Sequence, residues 1–216
     1  MKLIPFIEMK YPLNVVIDYV YSLLDENREI LEERVEYSDP GVQLAPFITA
    51  LLPESARKVI NEASIEKIDD CITVAESRFP AADFGTSGGV STLGRATVGL
   101  PDDFLRLVYF RMSDWEEGLS VPMECGSEVH QLRNRKLGTL GYAYQRPAVT
   151  VRRRGRNCDL LVYGSHLDAS VADLQYVARP AIVNEEIDLP PALFHDVCAN
   201  VADTVLSVLA TPHHTN

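Results

Sequence analysis

Apolar positions recur every three or four residues at both ends of this chain, and as alternating or unbroken runs through its middle. Leu13, Val16, Ile17, Val20, Leu24 and Leu31 lie at helical spacing, with Glu and Asp rich at the positions between them. That pattern predicts an amphipathic helix from Leu13 to about Val35. The stretch Tyr37-Ser-Asp-Pro-Gly41 is turn chemistry and predicts a stop. A short apolar segment, 42–52, follows and contains Pro46. Pro53 and Glu54 then open a second predicted helix reaching about Ser77, because proline suits a first helical turn. Its expected inner face is Val59, Ala63, Ile68, Ile72 and Ala75.

After Pro80 the period changes. Gly85-Thr-Ser-Gly-Gly-Val-Ser-Thr-Leu-Gly94 predicts a flexible loop. The β-rich run Phe104–Met112, the run Ala148–Arg152, the run Cys158–Gly164 and the run Leu174–Ala178 predict four strands. Arg153-Arg154-Gly155-Arg156 between the second and third reads as a hairpin turn. A short helix is expected within 127–137, between the first and second strands. The chain closes with a helix that begins at Leu189-Pro190-Pro191, with Leu193, Val197, Val201, Val205 and Val208 as its apolar spine.

These elements give an α+β expectation: a helical bundle of two N-terminal helices plus the C-terminal helix, with an inserted small antiparallel β domain and long loops. The expected boundaries are 1–80 with 189–210 for the bundle, 81–188 for the β domain, and 211–216 as a tail. At 216 residues, 46% hydrophobic and 24% charged, the chain can bury a sizeable core. No apolar run approaches the roughly 20 residues that cross a bilayer. The opening Met1-Lys-Leu-Ile-Pro-Phe6 lacks the apolar core and cleavage site of a signal peptide. A chain kept in a cytoplasm, or in a particle assembled there, is expected.

Charge sharpens the picture. Between Val129 and Arg156 stand Arg133, Arg135, Lys136, Arg146, Arg152, Arg153, Arg154 and Arg156, with no acid among them. The whole chain nevertheless carries 20 Lys+Arg against 31 Asp+Glu, a net of −11. Opposite charges gathered on separate surfaces attract another copy, an acidic partner, or nucleic acid. The arginine cluster at 152–156 therefore has three readings: a solvated hairpin tip, an interface patch meeting an acidic neighbour, or a contact with phosphate. The net negative charge opposes free DNA binding, though a ring that guides DNA without gripping it tolerates that balance.

Candidate chemistry elsewhere is thin. Gly85-Thr-Ser-Gly-Gly89 resembles the loop around a serine nucleophile, yet none of His130, His166, His195, His213 and His214 sits in a partner motif for Ser87. Asp83-Phe84-Gly85 matches a kinase metal-binding tripeptide without any other kinase signature. No glycine-rich stretch carries the Lys of a phosphate loop. The paired acids Asp102-Asp103 and Glu116-Glu117 are expected as solvated loops rather than acid/base pairs. Cys71, Cys125, Cys158 and Cys198 have no metal-ligand spacing and are expected as reduced, buried thiols. No metal and no cofactor is expected.

Two segments carry a family pattern: Leu100-Pro-Asp-Asp-Phe-Leu-Arg-Leu-Val108 with Trp115 behind it, and Tyr176-Val-Ala-Arg-Pro180 with Ile187-Asp-Leu-Pro-Pro191 and the closing helix. In these the chain resembles the head-to-tail connector (adaptor or ring) proteins of tailed bacteriophages. It is most similar to those of short-tailed crAss-like phages and their Bacteroidales prophage relatives, and more distantly to the tail tubular protein A group. Gly141-Tyr-Ala-Tyr-Gln-Arg-Pro147 departs from the family's corresponding loop. The resemblance implies a non-enzymatic virion protein of the neck or tail, assembled in the host cytoplasm. It implies a ring of identical subunits, commonly a dodecamer, beside portal protein or a neighbouring ring, with non-specific contact to passing DNA and no membrane. The linker 81–99, the basic stretch 129–156 and both chain ends are the expected interface and channel segments.

Two rival classes follow from the residues. A small hydrolase using the 83–92 loop would lose activity on Ser87→Ala. A nucleic-acid-binding regulator using Arg152 to Arg156 would bind duplex with steep salt dependence, whereas a connector subunit should bind little.

Overall fold

The computed structural model describes residues 10–26, 44–74, 83–85, 93–134, 146–155, 157–166 and 168–209. Along the chain these form β1 (Lys10–Pro12), α1 (Leu13–Glu26), α2 (Leu44–Glu62), β2 (Ile72–Val74), β3 (Asp83–Gly85), β4 (Leu93–Gly99), β5 (Phe104–Met112), α3 (Glu128–Asn134), β6 (Ala148–Arg154), β7 (Asn157–His166), β8 (Val171–Ala178), β9 (Ile182–Val183), β10 (Glu186–Asp188) and α4 (Phe194–Leu209). Helices and antiparallel sheets coexist, so the fold class is α+β. The chain divides into two compact units, Met1–Cys71 with Arg179–Asn216, and Ile72–Ala178. Among the described residues no helix is long and apolar enough to cross a membrane.

In the helical unit, α4 packs against both α1 and α2. The periodicity read from the sequence places Val16, Val20 and Leu24 of α1 in the core, and Val197, Val201 and Val205 of α4 opposite them in kind. Val208 breaks the expected spine and is half exposed. The second helix differs most from expectation. It begins at Leu44, so Pro46 falls in its first turn and Pro53 in its interior, and it ends at Glu62. Running through Pro53 aligns Ile48, Leu52, Ala56 and Ile60 on one buried stripe. An interior proline costs about 3 kcal/mol, while fully burying Ile48 and Leu52 returns about 1.5–3 kcal/mol each. Burial wins. Val59 and Ala63, the expected inner face, are only half buried, and Ile72 has left the helix for β2. Ile68 is buried between two short 3-10 turns, Ile65–Lys67 and Asp69–Cys71. The predicted extension of α1 to Val35 lies outside the described residues, as does Ala75.

The same unit contains a small sheet in the order β1-β10-β9. Residues 179–188, grouped with the β domain by sequence, thus pair with the strand that precedes α1. The β9–β10 turn holds Asn184 at φ 52° and Glu185 at φ 61°. Two consecutive left-handed residues define the type I′ geometry that matches strand twist. The Glu185 carbonyl accepts the backbone N–H of Leu13 at 2.9 Å, satisfying one open donor at the start of α1.

The β unit has two antiparallel sheets, β2-β8-β5 and β3-β4-β7-β6. Their inner faces share one core: Ala96, Val98, Val149, Leu160 and Val162 from the four-stranded sheet, with Phe104, Leu107, Phe110, Met112, Leu174 and Tyr176 from the three-stranded one. Trp115 closes it, edge-on to Phe110 at 5.7 Å, its Nε1–H donating to the Gly164 carbonyl at 3.1 Å. Gly85 and Gly94, expected in a loop, are strand residues of β3 and β4, and Ala96 and Val98 of the supposed linker are core. Residues 86–92 lie outside the described residues. After Trp115 the chain turns back, exchanging backbone hydrogen bonds between Phe110 and Leu119. A β-carbon at position 118 would meet the far end of the Tyr109 ring, so a larger residue there must displace that side chain.

Candidate functional site

The arginine-rich hairpin follows from local sequence. Ala148, Val149, Thr150 and Val151 favour a strand, as do Leu160, Leu161, Val162 and Tyr163. Arg154 is opposite Asn157, and Gly155 follows Arg154 at the turn. Gly155 takes φ 62°, a conformation that glycine adopts without steric cost. The predicted hairpin is therefore present, and β6 and β7 each run to its tip.

Period-two alternation decides which basic groups remain available. Arg152 is directly opposite Asp159 in the register. Its Nη2 donates to Asp159 Oδ2 at 2.9 Å, and both side chains are about three-quarters buried, at 25% and 21% exposure. Arg152 is thus neutralised within its own sheet rather than presented outward. Its Nε has no hydrogen-bond partner, and neither has the hydroxyl of Thr150, two residues earlier on the same face. Arg153 is opposite Cys158 and is exposed. Arg154 ends β6; Arg156 lies outside the described residues.

The other described members of the basic stretch lie elsewhere. Arg146 precedes β6 and is exposed, and Arg133 lies on α3. Arg135 and Lys136 lie outside the described residues. Ala148, beside Arg146, pairs with Tyr163, while Arg154 is six residues further along β6. At about 3.3 Å per residue the two ends are about 20 Å apart. Arg146 and Arg154, close in sequence, are therefore parted between the base and the tip of one hairpin.

At the base, α3 covers the outer face of the four-stranded sheet. Ala148, Leu161 and Tyr163 form a second cluster there, joined by Met123. His130 receives the Gly126 N–H at Nδ1, 2.9 Å, and lies 3.1 Å from the Tyr163 hydroxyl through Nε2. A backbone N–H can only donate, so the neutral ring carries its proton on Nε2 and gives it to Tyr163. This histidine fastens α3 to the sheet.

The two motif segments behind the family resemblance meet across β5 and β8. Asp103 accepts the Tyr176 hydroxyl at 3.2 Å, and Phe104 stacks on the Tyr176 ring at 5.9 Å. Burial, then the Asp103 charge, pushes the Tyr176 phenol up to about 12. Asp102 and Asp103 are exposed at the turn before β5; Glu116 and Glu117 are exposed. Asp83-Phe84-Gly85 forms β3, paired to β4. Asp114, unremarked in sequence, accepts the buried Ser165 hydroxyl at 2.8 Å and the His166 N–H at 2.7 Å, tying the end of β7.

Ser87 lies outside the described residues. Of the thiols, Cys158 and Cys198 are buried as expected, Cys71 is half buried, and Cys125 is exposed, contrary to expectation. Burial, with Asp188 and Asp70 nearby, pushes Cys71 up to about 11; burial alone pushes Cys198 up to about 12. Among the described residues no three His, Cys, Asp or Glu side chains gather as metal ligands.

Sequence reading missed an aromatic face on the helical unit. Phe194 lies 4.5 Å from Tyr11 and 5.2 Å from Tyr19 between ring centroids, and the Tyr19 hydroxyl is 3.1 Å from His195 Nδ1. Val15 and Tyr19, four residues apart on the exposed side of α1, were the available signal. No family model matches the sequence, and neither does any curated protein.

Proposed function

We propose that this protein is a non-enzymatic structural subunit of the phage neck or tail, forming a homo-oligomeric ring that joins portal to tail and extends the DNA channel. In this reading the three long helices form a bundle into which the β unit is inserted, and the particle is its location. One observation carries it: charge is unevenly divided between the two units. The helical unit holds 19 Asp+Glu against 8 Lys+Arg, whereas the β unit holds 12 of each and presents an exposed arginine near the tip of its longest hairpin. A ring contact is heterologous and needs two unlike, complementary patches on each subunit. An acidic unit and an arginine-bearing turn are such a pair. The motif residues Asp103, Phe104, Tyr176 and Trp115 serve packing, which fits a family resemblance carried by structural rather than chemical residues.

Electron microscopy of the full chain at high concentration, alone and with portal protein, tests the reading. Closed rings with a central bore support it. A chain that stays monomeric in both conditions, and ignores charge reversal at Arg153 and Arg156, overturns it.

A further inference from the structure

The aromatic face on the helical unit has a composition that selects its occupant. Along α1, Val15, Asp18, Tyr19, Ser22 and Asp25 form one exposed stripe, following the helical period. Val15 is 47% and Tyr19 36% exposed. Beside this stripe stand Tyr11 and Phe194, both half buried, and the exposed His195. No Lys or Arg occurs anywhere in Leu13–Glu26. The surface therefore joins partly exposed aromatic rings to carboxylates without a cation on the helix itself. A guanidinium suits both features, stacking on the ring faces while its N–H groups meet the acids. The same chain supplies such a group at Arg153, exposed two residues before the left-handed Gly155.

We infer that the Tyr11–Tyr19–Phe194 face of one copy receives Arg153, beside the Gly155 turn, of a second copy. This rests on the ring reading above and assigns its two contact patches. Arg152 takes no part, because Asp159 already holds it. The contact is heterologous, so each subunit keeps one free patch of each kind until the ring closes.

The test uses the full chain with Tyr19 replaced by the photoreactive p-benzoylphenylalanine, mixed with uniformly nitrogen-15-labelled wild-type chain. After irradiation, cleavage at acidic residues keeps the arginine-rich turn within one peptide. Crosslinks from position 19 to labelled peptides containing 151–157 are expected. Crosslinks to another labelled segment, or to residues 1–9 or the hairpin of the same chain, overturn this inference and leave the ring reading standing. Absence of any crosslink between chains, with monomeric sedimentation, overturns both. Charge exchange provides a check independent of the photoprobe. Asp18→Lys and Arg153→Glu should each weaken self-association about tenfold alone, and an equimolar mixture of the two should recover it. Two variants that stay as weak when mixed count against the contact.

Discussion

The two units spend their sequence differently. The helical unit buries one stripe per helix, and most of the charges on its described residues are exposed. The β unit balances its charges and uses several internally: Arg111 with Asp173, Arg152 with Asp159, and Asp114 with the end of β7. The contrast teaches that local charge density in a sequence says little about available charge. On a helix, like charges share a solvated face. In a sheet, register puts residues distant in sequence directly opposite, and an acid seven positions away can cancel an arginine.

The largest test of this contrast is a cavity in each core. Phe110→Ala in the β unit should cost about 3–5 kcal/mol and Leu52→Ala in α2 about 2–5 kcal/mol. Trp115 is the single tryptophan and belongs to the β unit, so its fluorescence follows that unit while helical circular dichroism follows the other. In urea, Phe110→Ala should move the fluorescence midpoint furthest.

Thiol chemistry gives the next effect. Cys71 and Cys198 are raised from 9.0 to about 11 and about 12 in the folded chain. Near pH 8 the exposed Cys125 should be reached first, and Cys71 should alkylate roughly 100-fold more slowly than a free thiol in solution, as its two-unit rise implies. Both raised thiols favour their neutral form in the fold. Their contribution is therefore complete below pH 9 and lost as pH climbs through 11 to 12. Alkaline denaturation should register first in the helical unit, which holds both.

Removing Asp159 should show how far the sheet consumes its own arginine. Asp159→Ala leaves a largely buried guanidinium without its acceptor and should cost on the order of 1–3 kcal/mol in urea unfolding. The smallest effect is a gain. Glu185→Gly relieves a left-handed conformation in the type I′ turn and should raise stability by about 1 kcal/mol, read as a shift in Tm.

Much of the fold was legible. The hairpin, the strand at Phe104 and α3 sit where periodicity and turn residues put them, because those signals are local. The closing helix is present but starts at Phe194, after a 3-10 turn at Pro191–Leu193, later than the expected Leu189–Pro191. Pro53 misled for a reason that is equally physical. Proline at a helix start is a local preference, while the stripe Ile48, Leu52, Ala56 and Ile60 gains its value only against other helices. The strands β1, β2, β9 and β10 were illegible, since two or three residues carry no period. The candidate site was half legible: the sequence marked the arginines but not their partners.

What the chain determines by itself is the type of its long elements and its excess of acid, properties that depend on neighbours within one or two turns. Tertiary structure alone decided that Arg152 is already held, that Arg146 and Arg154 are parted along a hairpin, and that Tyr11, Tyr19 and Phe194 share a face. Each of these joins residues through strand register or helix packing, and such pairing is set by burial across the fold rather than by any short-range preference.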